Sequence, residues 1–225
     1  SQFVSSYWRK LVIPSACTRC FLDFEGVMCA AEVWVNGELA ATHLGGYTPF
    51  SVELSRFGQP GDELSILVKV DSTERSDIPP FGHVVDYLCY GGIYREVTLR
   101  QCGAQAIRSV YARPDAVLSA QKNLDVEIEL EPRTREPQEN ASQPSTGLAV
   151  RASLAATAAP DRIIAAIEVP VPSGDFVRFR MEKLAGIELW DLDQPNLYEL
   201  TVELYDSEST LDEETCRVGF RAAEF

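Results

Sequence analysis

Residues 31–41, AEVWVNGELAA, combine two short runs of alternating side chains with an Asn-Gly pair between them. A period of two places successive side chains on opposite faces of a β-strand. Asn36 and Gly37 accept the positive φ angles of a tight primed turn, which joins adjacent antiparallel strands. The stretch therefore predicts a β-hairpin in which Val33 and Val35 face a core and Trp34 faces away from them.

The same period of two dominates the rest of the chain. Further strands are predicted at 20–27, 63–70, 93–100, 122–132, 147–156, 162–172, 175–184, 197–206 and 213–225. They recur about every ten residues between turn residues, which is typical of β-sandwiches. The only helical element predicted is one short turn at 52–57. We therefore expect an all-β protein of two domains, 1–102 and 103–225, with about seven strands in the second.

Charge argues against two classes of partner. The net charge is −14, and most of the excess acid falls after Cys102. Nucleic acids and anionic membranes are bound by clustered Lys and Arg, so neither is an expected partner. No run of 18 apolar residues occurs, and no transmembrane helix is predicted.

The six cysteines suggest free thiols. Cys17 and Cys20 form a C-x-x-C motif, but no second pair of ligands lies near it in sequence. Cys20 also leads into an apolar strand, whereas a redox motif precedes a helix. We predict no metal site and no cofactor, and reduced cysteines favour a cytoplasmic protein. No signal peptide opens the chain.

Five segments carry a resemblance to a known family. They are YWRKLVIP (7–14), FEGVMCAAEVWVNGELAATHLGGYTPFSVELS (24–55), GGIYREVTL (91–99), WDLDQPNLYELTVELYD (190–206) and CRVGFRAAEF (216–225). Their order and spacing resemble the family 2 glycoside hydrolases, among them β-galactosidases, β-glucuronidases and β-mannosidases. The form of residues 91–97, GGIYREV, is more similar to β-galactosidases.

The resemblance implies a jelly-roll (galactose-binding-like) β-sandwich at 1–102 and an immunoglobulin-like β-sandwich at 103–225. In this family the jelly roll begins some tens of residues earlier, so the first domain is expected to be truncated at its N-terminus. A catalytic (β/α)8 barrel is expected to follow Phe225 and to supply both catalytic glutamates. The chain is therefore expected to contain no catalytic residue and to be inactive alone. Its expected partners are that barrel, the terminal sugar of a β-glycoside and, in the full-length enzyme, further copies.

Asp86 is the candidate substrate-binding residue. Family members carry an Asp about seven residues before the Gly-Ile-Tyr-Arg strand, and DYLCYGGIYR (86–95) has that spacing. The resemblance implies that its carboxylate accepts hydrogen bonds from sugar hydroxyls, whereas the sequence alone also allows a turn-capping Asp. His83 lies three residues earlier and is a second candidate for the same cleft.

Other polar and aromatic residues are predicted to be structural. Arg95 is expected to be partly buried on the strand at 93–100, Trp8 to lie in the core or a domain contact, and His43 to be a plain surface group. Trp34 could form a sugar platform or pack against a neighbouring element. Two alternatives to a hydrolase fragment remain open, namely a stand-alone carbohydrate-binding module and a purely structural module. An exposed aromatic pair on one sandwich face would favour the first of these.

Overall fold

The computed structural model describes residues 3–82, 89–132, 147–207 and 209–222. These residues form sixteen β-strands and no α-helix. The strands are β1 (Val4–Val12), β2 (Arg19–Phe24), β3 (Val27–Met28), β4 (Ala30–Val35), β5 (Glu38–Leu44), β6 (Phe50–Glu53), β7 (Glu63–Asp71), β8 (Gly92–Ile93), β9 (Val97–Cys102), β10 (Ile107–Asp115), β11 (Lys122–Leu130), β12 (Ala149–Ala156), β13 (Ala159–Pro170), β14 (Phe176–Leu184), β15 (Tyr198–Tyr205) and β16 (Thr210–Val218). The prediction of an all-β protein is confirmed. No helix of the described ranges is long and apolar enough to cross a membrane.

The chain divides into two compact units, a first unit at Ser1–Cys102 and a second unit at Gly103–Phe225. In the first unit, one sheet has the order β1-β7-β4-β5 and another has the order β6-β2-β9, with a small β3-β8 ladder beside them. All of these pairings are antiparallel. Two antiparallel sheets packed face to face make a sandwich of the jelly-roll kind.

Alternation of side chains builds the core of the first unit. Val33 and Val35 are fully buried on β4, while Trp34 lies between them on the other face and is half-buried. The hairpin between β4 and β5 turns at Asn36 and Gly37, whose φ angles are +50° and +84°. The predicted hairpin and its facing are therefore confirmed. The core also includes Phe24, Val52, Leu54, Leu64, Ile66, Val68 and Val70.

The second unit is an immunoglobulin-like sandwich. Its sheets have the orders β10-β11-β14 and β13-β12-β15-β16. Every second residue of β11 and of β15 is buried, as the period of two predicts. The buried residues of the two sheets form one core that includes Leu124, Val126, Ile128, Val150, Leu154, Leu200, Val202 and Phe220.

Three predicted elements differ in detail. The strand predicted at 93–100 is interrupted, because β8 ends at Ile93 and β9 begins at Val97. The strand predicted at 213–225 ends at Val218. The short turn was predicted at 52–57, but its first two residues belong to strand β6, which ends at Glu53.

Replacing Leu200 by Ala should destabilise the second unit by about 3 kcal/mol, because a buried leucine leaves both lost contacts and a cavity. Leu200 is 0% exposed, while Leu192 is 84% exposed and serves as the control. Native-state hydrogen exchange of the second unit measures both variants, and Leu192→Ala should stay within about 0.5 kcal/mol of the parent. Equal losses in the two variants would contradict this core assignment.

Candidate functional site

The two predicted sugar-binding residues, Asp86 and His83, lie in the segment 83–88, which is outside the described residues. Their role therefore stays a prediction. The described chain ends before this segment at Gly82 and resumes at Cys89. At Gly82 the backbone N–H donates a 2.7 Å hydrogen bond to the Glu74 carboxylate. We call four segments the rim. Residues 71–82 and 89–96 carry the two ends, and residues 25–29 and 45–50 complete the rim.

A buried serine joins three segments of the rim. The Ser72 hydroxyl donates to the Met28 carbonyl at 2.8 Å and accepts from the Gly92 N–H at 2.9 Å. Met28 and Gly92 also face each other in the β3-β8 ladder. Backbone groups buried without partners are costly, and one hydroxyl satisfies two of them here. The end of β7 is thereby fixed against both short strands.

Gly92 is required by its conformation and by its neighbour. Its φ angle is +90°, a region that strongly favours glycine. A Cβ at this position would overlap the hydroxyl oxygen of Tyr7 on β1. That same oxygen accepts the Ile93 N–H at 3.4 Å. The second glycine of the Gly91-Gly92 pair thus lets the backbone approach Tyr7, and it does not form a phosphate-binding loop.

The other glycine pair, Gly45-Gly46, packs against Met28 of β3. A Cβ on Gly46 would overlap the Met28 side chain. The Gly46 carbonyl accepts a 2.6 Å hydrogen bond from the Tyr94 hydroxyl, and the Tyr47 ring meets Tyr94 edge-on at 6.3 Å between centroids. Tyr94 also packs on the small buried cluster of Met28, Cys29 and Ile78. These contacts take Tyr94 out of the alternating strand pattern and explain the break between β8 and β9.

Arg95 is exposed, so the expectation of a partly buried Arg95 is wrong. Its guanidinium lies 5.5 Å from the centroid of the Tyr94 ring, on the rim rather than on a strand. His43 is not a plain surface group either. Its ring is half-buried, stacks on Phe50 at 4.3 Å and shares a 3.0 Å hydrogen bond with Thr48.

Two carboxylates, one at the end of β7 and one on the loop that follows it, are held in their ionised form. Asp71 accepts hydrogen bonds from the Thr73 hydroxyl at 2.7 Å and the Thr73 N–H at 2.9 Å, which lower the pKa of Asp71. Arg75 donates to both oxygens of Asp77, at 3.0 and 2.9 Å, and this lowers the pKa of Asp77. A general acid needs a pKa raised toward neutrality. Neither group is therefore suited to donate a proton.

Acidic residues that are adjacent in sequence, such as Asp62 and Glu63, have local structural roles. Asp62 accepts the Gln59 N–H at 2.8 Å, and Glu63 forms an ion pair with Lys10 at 2.6 Å. Glu213 is exposed on β16. These contacts are those of solvent-facing turn and strand charges.

The C-x-x-C thiols are buried in the first unit. Cys20 is fully buried, and this burial, together with the nearby Cys17, raises the Cys20 pKa to about 12. The Cys17 thiol donates to the Pro14 carbonyl at 3.3 Å. Metal binding and nucleophilic attack both need the thiolate, which is scarce at such a pKa. Among the described residues, no three His, Cys, Asp or Glu side chains are grouped so that they could hold a metal ion.

Several exposed aromatics on the rim were not predicted from the sequence. Phe81 and Tyr90 are 49% and 69% exposed and flank the 83–88 segment in sequence, and Tyr47 is 45% exposed. A surface aromatic presents an apolar face that suits the C–H face of a sugar ring. The sequence does contain a hint of this arrangement, because Phe81 lies two residues before the segment and Tyr90 lies two residues after it.

Gly92→Ala should destabilise the first unit by more than about 2 kcal/mol, because it combines backbone strain with the overlap on Tyr7. Gly82→Ala is the matched control, since Gly82 also has a positive φ (+84°) but has nothing within 4 Å of a Cβ. The control should lose only about 1 kcal/mol. Urea unfolding measures both variants.

The double variant Gly92→Ala/Tyr7→Phe removes the clashing oxygen and should recover about 1 kcal/mol of the loss. Equal losses in the two single variants, or no recovery in the double variant, would show that the Tyr7 contact does not set this position.

Cys20 should resist iodoacetamide at pH 8 in the folded protein and react once the chain is unfolded in urea, because burial suppresses its thiolate. A raised folded-state pKa also means that the stabilisation from Cys20 is complete below the ordinary thiol pKa of 9.0 and is lost as pH rises toward about 12. Mass spectrometry of labelled peptides gives the reactivity, with half-exposed Cys89 as the comparison. Rapid labelling of Cys20 in the native protein would contradict the assigned burial.

Comparison with known proteins agrees with both units. Residues 4–102 match the profile described as glycosyl hydrolases family 2, sugar binding domain, and residues 105–221 match the profile described as glycosyl hydrolases family 2. The chain is 35% identical over 207 residues to the β-galactosidase of Thermoanaerobacterium thermosulfurigenes, covering 91% of this chain and 28% of that protein. It is 31% identical over 232 residues to the β-galactosidase of Thermoanaerobacter pseudethanolicus, covering 100% of this chain and 29% of that protein. The chain thus spans less than a third of these relatives.

Solved structures show the same fold. The crystal structure of a putative β-galactosidase from Bacteroides fragilis superposes with a TM-score of 0.81 at 26% identity, covering 100% of this chain and 34% of the other. A Bacteroides uniformis β-glucuronidase gives a TM-score of 0.79 at 22% identity, covering 98% of this chain and 26% of the other. Since the profiles match nearly the whole of both units, the chain belongs to glycosyl hydrolases family 2.

Proposed function

We propose that this chain is the non-catalytic N-terminal part of a retaining glycoside hydrolase that resembles β-galactosidases and acts on terminal β-glycosides. In this proposal, the two sandwiches support a catalytic barrel that lies beyond the chain. The observation that carries it is the partial coverage of relatives that are themselves β-galactosidases, 28% and 29% of their length.

The chemistry of the described carboxylates supports a non-catalytic role. Retaining glycosidases need two carboxyl groups about 5–5.5 Å apart, one of them with a raised pKa. In barrel enzymes such groups lie at the C-terminal ends of parallel strands. All strand pairings described in this chain are antiparallel, and the rim carboxyls of Asp71 and Asp77 have lowered pKa values.

We propose further that Asp86, with His83 beside it, binds the sugar at the mouth of that barrel. A carboxylate accepts two hydroxyl hydrogen bonds, and a charged acceptor binds them more strongly than a neutral one. Support comes from the rigidity of the attachment points, because Gly82 is bonded to Glu74 and Gly92 to Ser72. Exposed Phe81 and Tyr90 on either side add apolar surface for a sugar ring.

Two further parts of the proposal concern the setting of the enzyme. A reducing compartment such as the cytoplasm is supported by the six cysteines, none of which is paired in a disulfide. Assembly of the whole enzyme into a homo-oligomer is also proposed. Both follow from the family resemblance and the thiols, and neither alters the role of the rim.

The test of Asp86 uses the whole protein encoded by the gene and an aryl β-galactoside substrate. Asp86→Ala should lower kcat/KM by roughly 10- to 100-fold, the cost of one or two charged hydrogen bonds to substrate. Asp77→Ala is the matched control, because Asp77 is an exposed rim aspartate bonded to Arg75, and its kcat/KM should stay within about twofold. His83→Ala should have a smaller effect than Asp86→Ala.

Melting temperatures separate a binding role from a structural one. The proposal requires Asp86→Ala to lose activity at an unchanged melting temperature. Full activity in Asp86→Ala would overturn the sugar-binding role, and absence of glycosidase activity in the parent protein would overturn the hydrolase assignment and favour a stand-alone binding or structural module.

A further inference from the structure

The outer face of the four-stranded sheet carries a continuous apolar row. Trp8 on β1 lies opposite Leu67 on β7, Leu67 lies opposite Trp34 on β4, and Trp34 lies opposite Leu39 on β5. The row therefore crosses every strand of the sheet, one residue per strand. Trp8 is 63% exposed, Leu39 is 45% exposed and Leu67 is 37% exposed, while Trp34 is half-buried. We call these four residues the tryptophan row.

Trp8 was expected in a core or a domain contact, and its 63% exposure shows that it lies outside the core of the first unit. The alternation of β1 explains the difference. Trp8 shares its face with Lys10, whereas Leu11 packs against the core of the first unit. The Trp8 indole N–H donates to the Ser65 hydroxyl at 2.8 Å, which ties the ring to the sheet.

Polar rows border the tryptophan row on both sides. On one side, Lys69 lies opposite Glu32 and forms a 3.5 Å ion pair with it. On the other side, Lys10 lies opposite Ser65 and pairs with Glu63 at 2.6 Å. These two ion pairs neutralise the charges that border the row, so the row itself offers no net charge to an oppositely charged partner.

The shape of this face distinguishes between kinds of partner. A stable protein interface has a broad apolar centre from which charged residues are depleted. Here the apolar strip is one residue wide and has Lys and Glu on both edges. A saccharide chain has the complementary pattern, since its ring C–H faces are apolar and its hydroxyl groups project from the edges. Lys, Glu and Ser side chains are hydrogen-bonding partners for such hydroxyls.

The spacing of the two tryptophans selects for a chain over a single sugar. Trp8 and Trp34 lie on strands separated by one strand, so their backbones are about 10 Å apart. This distance is comparable to two pyranose rings of an extended β-linked chain. A monosaccharide can cover only one of the two rings.

From this geometry we propose that the tryptophan row is a binding platform for an extended β-linked oligosaccharide. Trp8 and Trp34 stack on sugar rings that are two units apart, Leu67 packs between them, and the bordering Lys and Glu groups bond the hydroxyls. The platform does not depend on the hydrolase proposal, because it uses only residues of the first unit.

The test uses tryptophan fluorescence of the 225-residue chain. The chain has three tryptophans, and Trp190→Phe leaves only the two of the platform. Titration with cellohexaose or β-1,4-galactohexaose should give a saturable change in emission, while glucose and galactose should give none at equal concentration. Trp8→Ala should weaken oligosaccharide binding about tenfold, the loss expected for one stacking ring.

Tyr111→Ala is the matched control, because Tyr111 is 65% exposed on a strand of the second unit and its loss should leave binding unchanged. Melting temperatures should be equal among Trp8→Ala, Tyr111→Ala and the parent. No saturable signal with either hexasaccharide would overturn the proposal. Conversion of a dimer to a monomer by Trp8→Ala in sedimentation, or shielding of both remaining tryptophans from acrylamide in the unliganded Trp190→Phe chain, would overturn it in favour of a protein contact.

Discussion

The buried hydroxyl of Ser72 is the contact on which the arrangement of the rim depends. It bonds a carbonyl 44 residues earlier in the chain, that of Met28, and an amide 20 residues later, that of Gly92. Without it, both backbone groups would lose a buried hydrogen bond, and a buried polar group left unsatisfied costs about 1–3 kcal/mol. The two glycine pairs then allow the flanking loops to pack closely on Met28 and Tyr7. The positions of the rim loops are therefore set mainly by hydrogen bonds of backbone groups and by the close packing that glycines allow.

This construction is consistent with a supporting role in catalysis. Several charged groups of the first unit form ion pairs within the same unit, such as Arg19 with Glu53 at 2.8 Å and Arg100 with Asp23 at 2.7 Å. Charged side chains that are paired in this way hold loops and strands in place. In the proposed enzyme, a sugar contact from the 83–88 segment would then be positioned by these paired loops and strands.

The sequence was sufficient for the fold because one face of each strand is buried and a period of two is visible without any structure. Val33, Trp34 and Val35 illustrate this, since their alternate facing follows directly from the pattern. It was insufficient where a side chain far away in sequence decides the conformation. Tyr94 leaves its strand because its hydroxyl reaches Gly46, and nothing in residues 93–100 reveals that partner.

Exposure was the other quantity that the sequence did not reveal. An aromatic in a strand usually packs against a neighbour, so Trp8 was assigned to a core or contact. The register between β1 and β7 aligns Trp8 with Leu67, and the register between β4 and β7 aligns Trp34 with Leu67. Only these two registers show that the three residues share an outer face. The candidate sugar residues Asp86 and His83 came from the motif alone and stay predictions.

The central claim is that the catalytic nucleophile of the enzyme lies outside these 225 residues. It is tested most directly by trapping the glycosyl-enzyme intermediate of the whole gene product with a 2-deoxy-2-fluoro-β-galactoside and locating the label by peptide mass spectrometry. The account predicts a labelled glutamate beyond Phe225 and no label on the isolated 225-residue chain. A label on any carboxylate between Ser1 and Phe225 would contradict it.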